Sequence, residues 1–329
     1  METGIPWIEK YRPKKFQDII GQDQTINTLI KLLANNSLPH LLFSGPPGSG
    51  KTSTIMIISE ELYKNNISLM VIKLDASDDR GITTVRDNIK SFVEKTNLFI
   101  KGVRLIILDE ADSMTFDAQF ALRRIIEKYS DVIRFCFICN YENKIISPIK
   151  SRCAKFRFEL IDSTYIIDKL TYISFVENIK LSKNVTRIIA EYSKGDLRQS
   201  INTLQSICMY ADALKHSTNE NIEINDNLCY RMLEIPSKES LENIFIILTK
   251  KDQELNNKYM YIKNYLTENY YSLIKLLREL FYFLLNNNIN HVNIHNIIIE
   301  LAKLEFMLSK TNNDNLYIIY LIHIFNKYF

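Results

Sequence analysis

Eight consecutive residues, Gly45, Pro46, Pro47, Gly48, Ser49, Gly50, Lys51 and Thr52, connect an apolar run at 40–44 to a stretch of helical spacing that begins near Ser53. The pattern, G-x-x-x-x-G-K-T, joins a pliable turn to one cation and one hydroxyl. Its glycines let the turn curl until successive backbone N–H groups and the start of the next helix face one point, which attracts phosphate. Lys51 then reaches the outer phosphates of ATP, and Thr52 offers its hydroxyl to Mg2+. The whole chain has eight glycines, so three within six residues answer a geometric need rather than composition.

A second group of reactive residues ends another apolar run. LIILDEAD closes on Asp109 and Glu110, which suits a metal-side carboxylate followed by a base that orients an attacking water. A parallel sheet places that end beside the phosphate loop, where the charge is useful. The run IRFCFICN ends in Asn140, an amide placed to sense the terminal phosphate or hold the water. A strand-ending asparagine that merely begins a turn has the same sequence signature.

Elements must hold these groups together. Compact apolar runs at 40–44, 69–74, 103–109, 133–140 and 154–159 alternate with helical spacing at 51–65, 81–96 and 115–129, the signature of a parallel sheet covered by helices. From about 161 onward only helical periodicity appears, with a polar connector at 214–227. The sequence therefore divides into an α/β segment, 1–160, a small helical segment, 161–227, and a second helical block, 228–329. In that block Leu273, Ile274, Leu277, Leu280, Phe281 and Leu284 form an apolar stripe expected to be core.

Composition excludes several classes. With 329 residues, 46% hydrophobic and 24% charged, the chain folds into two or three domains rather than remaining disordered. No apolar run is long enough to span a membrane, and the N-terminus lacks a secretory signal, so an intracellular protein without a membrane partner is expected. Five cysteines in such a chain are expected to be reduced, and Cys136 with Cys139 to be core packing rather than a zinc site. The net charge of +3 does not by itself announce a polyanion, but residues 1–160 hold 23 basic against 19 acidic groups.

Taken together, WIEKYRP (7–13), DIIGQ (18–22), GPPGSGKT (45–52), ASDDRGI (76–82), LDEADSM (108–114), SRCAKFRF (151–158) and GDLRQSIN (195–202) resemble an AAA+ ATPase, and more narrowly a small subunit of replication factor C, the sliding-clamp loader. RFCFICNY is similar to the subunit group numbered three or five. The resemblance implies an AAA+ P-loop parallel sheet with helices on both faces, a small helical lid and an all-helical C-terminal collar.

The resemblance also implies roles. Tyr11, Arg12 and Pro13, with Ile19 and Ile20, wall the adenine pocket, while Asp109 and Glu110 are the metal and water carboxylates. Asn140 is the first sensor, and Arg198 the second, reading the γ-phosphate from the lid. Arg152 is a finger that reaches a neighbouring subunit's nucleotide. Ser77, Arg80, Gly81 and Arg86 face primer-template DNA through its phosphates. The implied partners are other replication factor C subunits and the sliding clamp, proliferating cell nuclear antigen, in the nucleus. Asp75 departs from the family pattern, which carries asparagine there. The alternatives are another AAA+ DNA motor, such as a branch-migration helicase, and a structural subunit with a static nucleotide.

Overall fold

The computed structural model of the chain describes residues 4–35, 37–76, 89–92, 102–218, 224–250, 254–286, 293–311 and 314–328, excepting the side chains of 214–218. Five strands, β1 (His40–Ser44), β2 (Val71–Asp75), β3 (Arg104–Asp109), β4 (Ile133–Cys139) and β5 (Cys153–Arg157), pair in the order β2-β3-β4-β1-β5, every pair parallel. β2 begins at Val71 rather than 69, because Ile67–Met70 forms a helical turn. Leu69 and Met70 are apolar in either conformation, so composition could not separate the two.

The three central strands, β3, β4 and β1, are nearly continuous apolar runs because they are buried on both faces, whereas the edge strands β2 and β5 expose Lys73, Lys155 and Arg157. Alternate residues divide cleanly. Leu41, Phe43, Leu105, Ile107, Cys136 and Ile138 pack with Ile26 and Leu29 of α1 (Asp23–Ala34) and Ile55 and Ile58 of α2 (Lys51–Tyr63). Leu42, Ile106, Leu108, Phe135 and Phe137 face the other way, onto Ala118, Leu122, Ile125 and Ile126 of α3 (Phe116–Tyr129). Each such side chain, fully buried, contributes about 1.5–3 kcal/mol. α3 starts where Thr115 caps it, accepting the Ala118 N–H at 3.3 Å. Buried Gln119 donates to the Lys144 carbonyl at 3.0 Å and accepts from the Ile146 N–H at 2.9 Å, which pins the segment leading from β4 toward β5.

After β5 the described residues are helical apart from one bridge, Leu181 to Ile224. α4 (Ser163–Val176), α5 (Val185–Ser193) and α6 (Leu197–Thr218) follow, with α6 running through the first residues of the expected connector. Then come α7 (Asp226–Leu233), α8 (Lys238–Thr249), α9 (Leu255–Asn269), α10 (Leu273–Asn286), α11 (Ile294–Leu308) and α12 (Asp314–Tyr328). On α10 the buried set is Leu273, Leu276, Leu277, Leu280 and Leu284, whereas Ile274 and Phe281 of the expected stripe are half-buried at its edge.

Two compact units emerge: Met1–Ile179 with Thr186–Ser206, and Lys180–Val185 with Ile207–Phe329. The second has its own core, rich in leucine and isoleucine, from α8 to α12, with one buried cation among its described residues, Lys258. That ammonium donates to Asn326 Oδ1 at 2.7 Å and to the Leu248 carbonyl at 3.1 Å, which offsets its desolvation. None of the described helices is long and apolar enough to cross a membrane.

Candidate nucleotide site

Past Ser44 the backbone turns through Gly45 (φ 149°), Gly48 (φ 69°) and Gly50 (φ 97°) into α2. Two close approaches require glycine there. A Cβ on Gly45 would lie 2.2 Å from the Phe158 carbonyl oxygen, and one on Gly48 would lie 1.9 Å from Asp196 Oδ1. Ser49 closes the turn by donating its hydroxyl to the Pro46 carbonyl at 2.8 Å.

Lys51 is buried at the first position of α2. Its ammonium donates to the Gly45 and Pro46 carbonyls, both at 2.7 Å, and to Asn140 Oδ1 at 3.1 Å. These occupy all three of its donors. Burial pulls its pKa below the usual lysine value, and negative groups including Asp109 and Asp196 oppose the shift.

Asp109 ends β3, and both of its oxygens are engaged. Oδ1 accepts the Glu110 N–H at 3.1 Å; Oδ2 accepts the Thr52 hydroxyl at 3.3 Å and pairs with Lys73 Nζ at 3.0 Å. Glu110 sits in the left-handed region at φ 51° and ψ 39°, a conformation costing a non-glycine residue roughly 1–2 kcal/mol. It turns the chain off β3 into Ala111–Ser113, and Ser113 secures the turn by donating to the Glu110 carbonyl at 2.8 Å. The Glu110 side chain is thereby exposed.

These groups open onto a cavity of about 530 Å3, a volume suited to a nucleotide. Of the residues singled out from the sequence, Tyr11, Arg12, Pro13, Ile19, Ile20, Pro47, Gly48, Ser49, Gly50, Lys51, Thr52, Ser53, Asp109, Glu110, Asn140 and Arg198 all line it. Gly45 and Pro46 do not line it; their carbonyls accept from the Lys51 ammonium instead. The N-terminal wall is fastened by Glu177, whose carboxylate accepts from the Tyr11 hydroxyl and from Lys10 Nζ, the latter at 2.7 Å. Trp7 adds an N–H bond to Gln205 Oε1 at 3.0 Å. Burial, then the Glu177 carboxylate, raise the Tyr11 pKa, so the hydroxyl remains a donor.

Arg152 lies elsewhere. It follows the short helix Ser147–Lys150 and donates to the Pro148 carbonyl at 2.7 Å and to Glu127, whose carboxylate also accepts from Arg123 at 3.0 Å. Ser77, Arg80, Gly81 and Arg86 lie outside the described residues. Cys136 and Cys139 are free thiols buried in β4; burial pushes Cys139 up to about 12.

Sequence reasoning missed other groups at the cavity: Glu9, Asp18, Lys73 and Lys169 line it, as does Asp75, noted above only as a departure from the family pattern. Asp196 packs on Gly48 and accepts the Gln199 N–H at 3.0 Å, capping α6. A signal existed for Lys73 and Asp75, which alternate along one strand, and for Asp196, which precedes a helix. Glu177 and Lys169 carried none, because only tertiary packing brings them to the N-terminal segment. As for a metal, Mg2+ takes hard oxygen ligands, and the Thr52 hydroxyl beside the Asp109 carboxylate is a donor set of that kind.

Residues 41–160 match the family described as "ATPase family associated with various cellular activities (AAA)", and 168–209 match the "RCF1/5-like, AAA+ ATPase lid domain". The site is thus that of an AAA+ ATPase, and the chain binds nucleotide. It is 38% identical to Replication factor C subunit 3 of Saccharomyces cerevisiae, covering 96% of this chain and 91% of that protein. It is also 38% identical to Replication factor C subunit 5 of Mus musculus, covering 98% and 92%. The chain belongs to the replication factor C subunit family, the clamp-loader branch of these ATPases, whose members assemble with one another as hetero-oligomers in DNA replication. Among solved structures, the Thermotoga maritima RuvB Holliday junction branch migration motor shares the fold, with a TM-score of 0.54 at 18% identity, covering 82% of this chain and 91% of that one. The family membership does not favour the helicase alternative.

Proposed function

We propose that this chain uses Mg2+ and ATP in the cavity described above to help open the sliding clamp, proliferating cell nuclear antigen, and load it on primer-template DNA during replication and repair in the nucleus. One observation carries the reading. Lys51, Thr52, Asp109, Glu110 and Asn140, from the ends of three neighbouring parallel strands, converge on one cavity, while Arg152 stands apart from it.

Within that cavity the phosphate loop and Lys51 hold the phosphates, and Tyr11, Arg12, Pro13, Ile19 and Ile20 enclose the base. Thr52 and Asp109 are the residues that would hold Mg2+, which supplies charge to offset the phosphates. Glu110 accepts the proton of the attacking water, Asn140 orients that water, and Arg198 reads the terminal phosphate. Arg152 acts in trans, stabilising charge at a neighbouring subunit's nucleotide. Ser77, Arg80, Gly81 and Arg86 grip DNA phosphates, so affinity of the assembled complex falls steeply with salt. Residues 1–160 are the ATPase segment, 161–227 the lid and 228–329 the oligomerising collar.

The test is single-turnover hydrolysis in the reconstituted complex. Glu110→Gln retains nucleotide and slows this subunit's hydrolysis by about a hundredfold or more. Hydrolysis summed over the complex that is unchanged by Glu110→Gln would mean that this cavity contributes no turnover and holds a static nucleotide.

A further inference from the structure

Lys73, one of the cations lining the cavity, has no part in the reading above. Lys73 stands on β2 two residues before Asp75, so both side chains leave the strand on one face, and Asp75 pairs in register with Asp109 of β3. The Lys73 ammonium lies 3.0 Å from Asp109 Oδ2 and 3.6 Å from Asp75 Oδ1. The oxygen it holds is the one that accepts the Thr52 hydroxyl. The two carboxylates differ in their surroundings: the Asp109 side chain is 16% exposed, so its pair with Lys73 is only weakly screened, whereas Asp75 at 50% is a solvated partner. A divalent cation coming to Thr52 and Asp109 meets a positive charge already on that carboxylate.

We propose that Lys73 is a tethered counter-ion of the metal carboxylate, which occupies Asp109 in the absence of Mg2+ and whose ammonium passes to Asp75 when Mg2+ and nucleotide enter. The inference rests on the cavity being a magnesium-nucleotide site. Like charges at one oxygen repel, so Lys73 raises the Mg2+ concentration needed for metal-supported nucleotide binding. Asp75 lowers it by giving the ammonium a second place to go. The flexible lysine stem makes that exchange without backbone movement, and a side chain 40% exposed has room to swing.

The experiment uses the full chain and a fluorescent ATP analogue, with Mg2+ titrated upward from a chelated start. Lys73→Met lowers the half-saturating Mg2+ concentration by about three- to tenfold, and Asp75→Asn raises it by a similar factor. The Asp75→Asn effect shrinks when Lys73→Met is already present, since no ammonium remains to receive. Lys73→Arg, which keeps the charge, stays closer to the unmutated chain than Lys73→Met does. Direct Mn2+ binding to the nucleotide-loaded chain, followed by the metal's paramagnetic resonance, gives the same order. A Mg2+ requirement for Lys73→Met equal to or above that of the unmutated chain overturns the proposal while leaving the nucleotide site standing. Failure of the unmutated chain to bind the analogue at any Mg2+ concentration overturns both.

Discussion

Asn140 Oδ1, just past the end of β4, accepts a hydrogen bond from Lys51 Nζ at 3.1 Å, tying together two points 89 residues apart. The contact fixes where the Lys51 ammonium sits relative to the sheet, because β1 and β4 are adjacent strands. Asn140→Ala removes that acceptor and leaves the Gly45 and Pro46 carbonyls in place. Hydrolysis in the assembled complex falls by about a hundredfold, the scale of one lost polar group at a reacting centre, while nucleotide affinity changes much less. Comparing single-turnover rates with equilibrium binding checks this, and equal losses in both would assign Asn140 to binding alone.

Gly45 and Gly48 differ in what an added methyl group meets. At Gly45 the obstacle is backbone, the Phe158 carbonyl, so Gly45→Ala costs about 3 kcal/mol or more. At Gly48 it is the Asp196 carboxylate, which can rotate away if it gives up its bond to the Gln199 N–H. Gly48→Ala therefore costs about 1–2 kcal/mol, mainly from the left-handed backbone at φ 69°. Adding Asp196→Ala makes the combined loss smaller than the sum of the two single losses. Urea denaturation of the four variants measures each difference, and strict additivity would deny the contact.

Arg152 makes its bonds with Pro148 and Glu127, away from the cavity. Arg152→Ala in the reconstituted complex leaves ATP affinity at this chain's own loop unchanged and lowers turnover at a neighbour's site by about a thousandfold. Glu127→Ala frees the guanidinium from an exposed pair and leaves stability within about 1 kcal/mol. Site-specific binding to a labelled subunit separates these effects; a loss of affinity at the chain's own loop would remove Arg152 from the role in trans.

His40 opens β1, and its Nδ1 accepts the Phe135 N–H at 3.1 Å, which only an unprotonated nitrogen can do. Burial, and then the nearby Arg134, lower its pKa from 6.5 to about 4. Between these values the unfolded chain binds a proton that the folded chain refuses. The stabilisation is therefore fully present above pH 6.5 and is lost as pH falls toward 4, approaching about 3 kcal/mol. His40→Asn keeps an acceptor but has no proton to bind in this range, so its stability falls less steeply from pH 6.5 to 4. Parallel pH profiles for the two proteins would contradict this.

What the sequence makes legible here follows from locality. The phosphate turn is encoded in eight contiguous residues, and four of the five strands are bounded close to where the structure ends them: β1, β3 and β4 because burial on both faces leaves few polar residues, and β5 because Lys155 and Arg157 alternate with its buried side chains. β2 is the exception: Leu69 and Met70 suit either a strand or the helical turn they form. Asp109, Glu110 and Asn140 could be singled out because strand ends on one side of a parallel sheet gather in space. Glu177 and Lys169 could not be placed, since only packing between distant segments brings them to the cavity and its N-terminal wall. Nor does helical spacing on α9 reveal that Lys258 occupies a core position, satisfied by Asn326 sixty-eight residues away.

The fastening of Tyr11 and Lys10 to Glu177, together with the Trp7 bond to Gln205, changes what the opening dozen residues are worth. Ile8, Glu9, Tyr11, Arg12 and Pro13 line one side of the cavity, and these bonds hold that wall to segments 166 to 198 residues away in sequence. Displacing these residues would open the cavity on that side, while leaving the sheet and its phosphate loop intact.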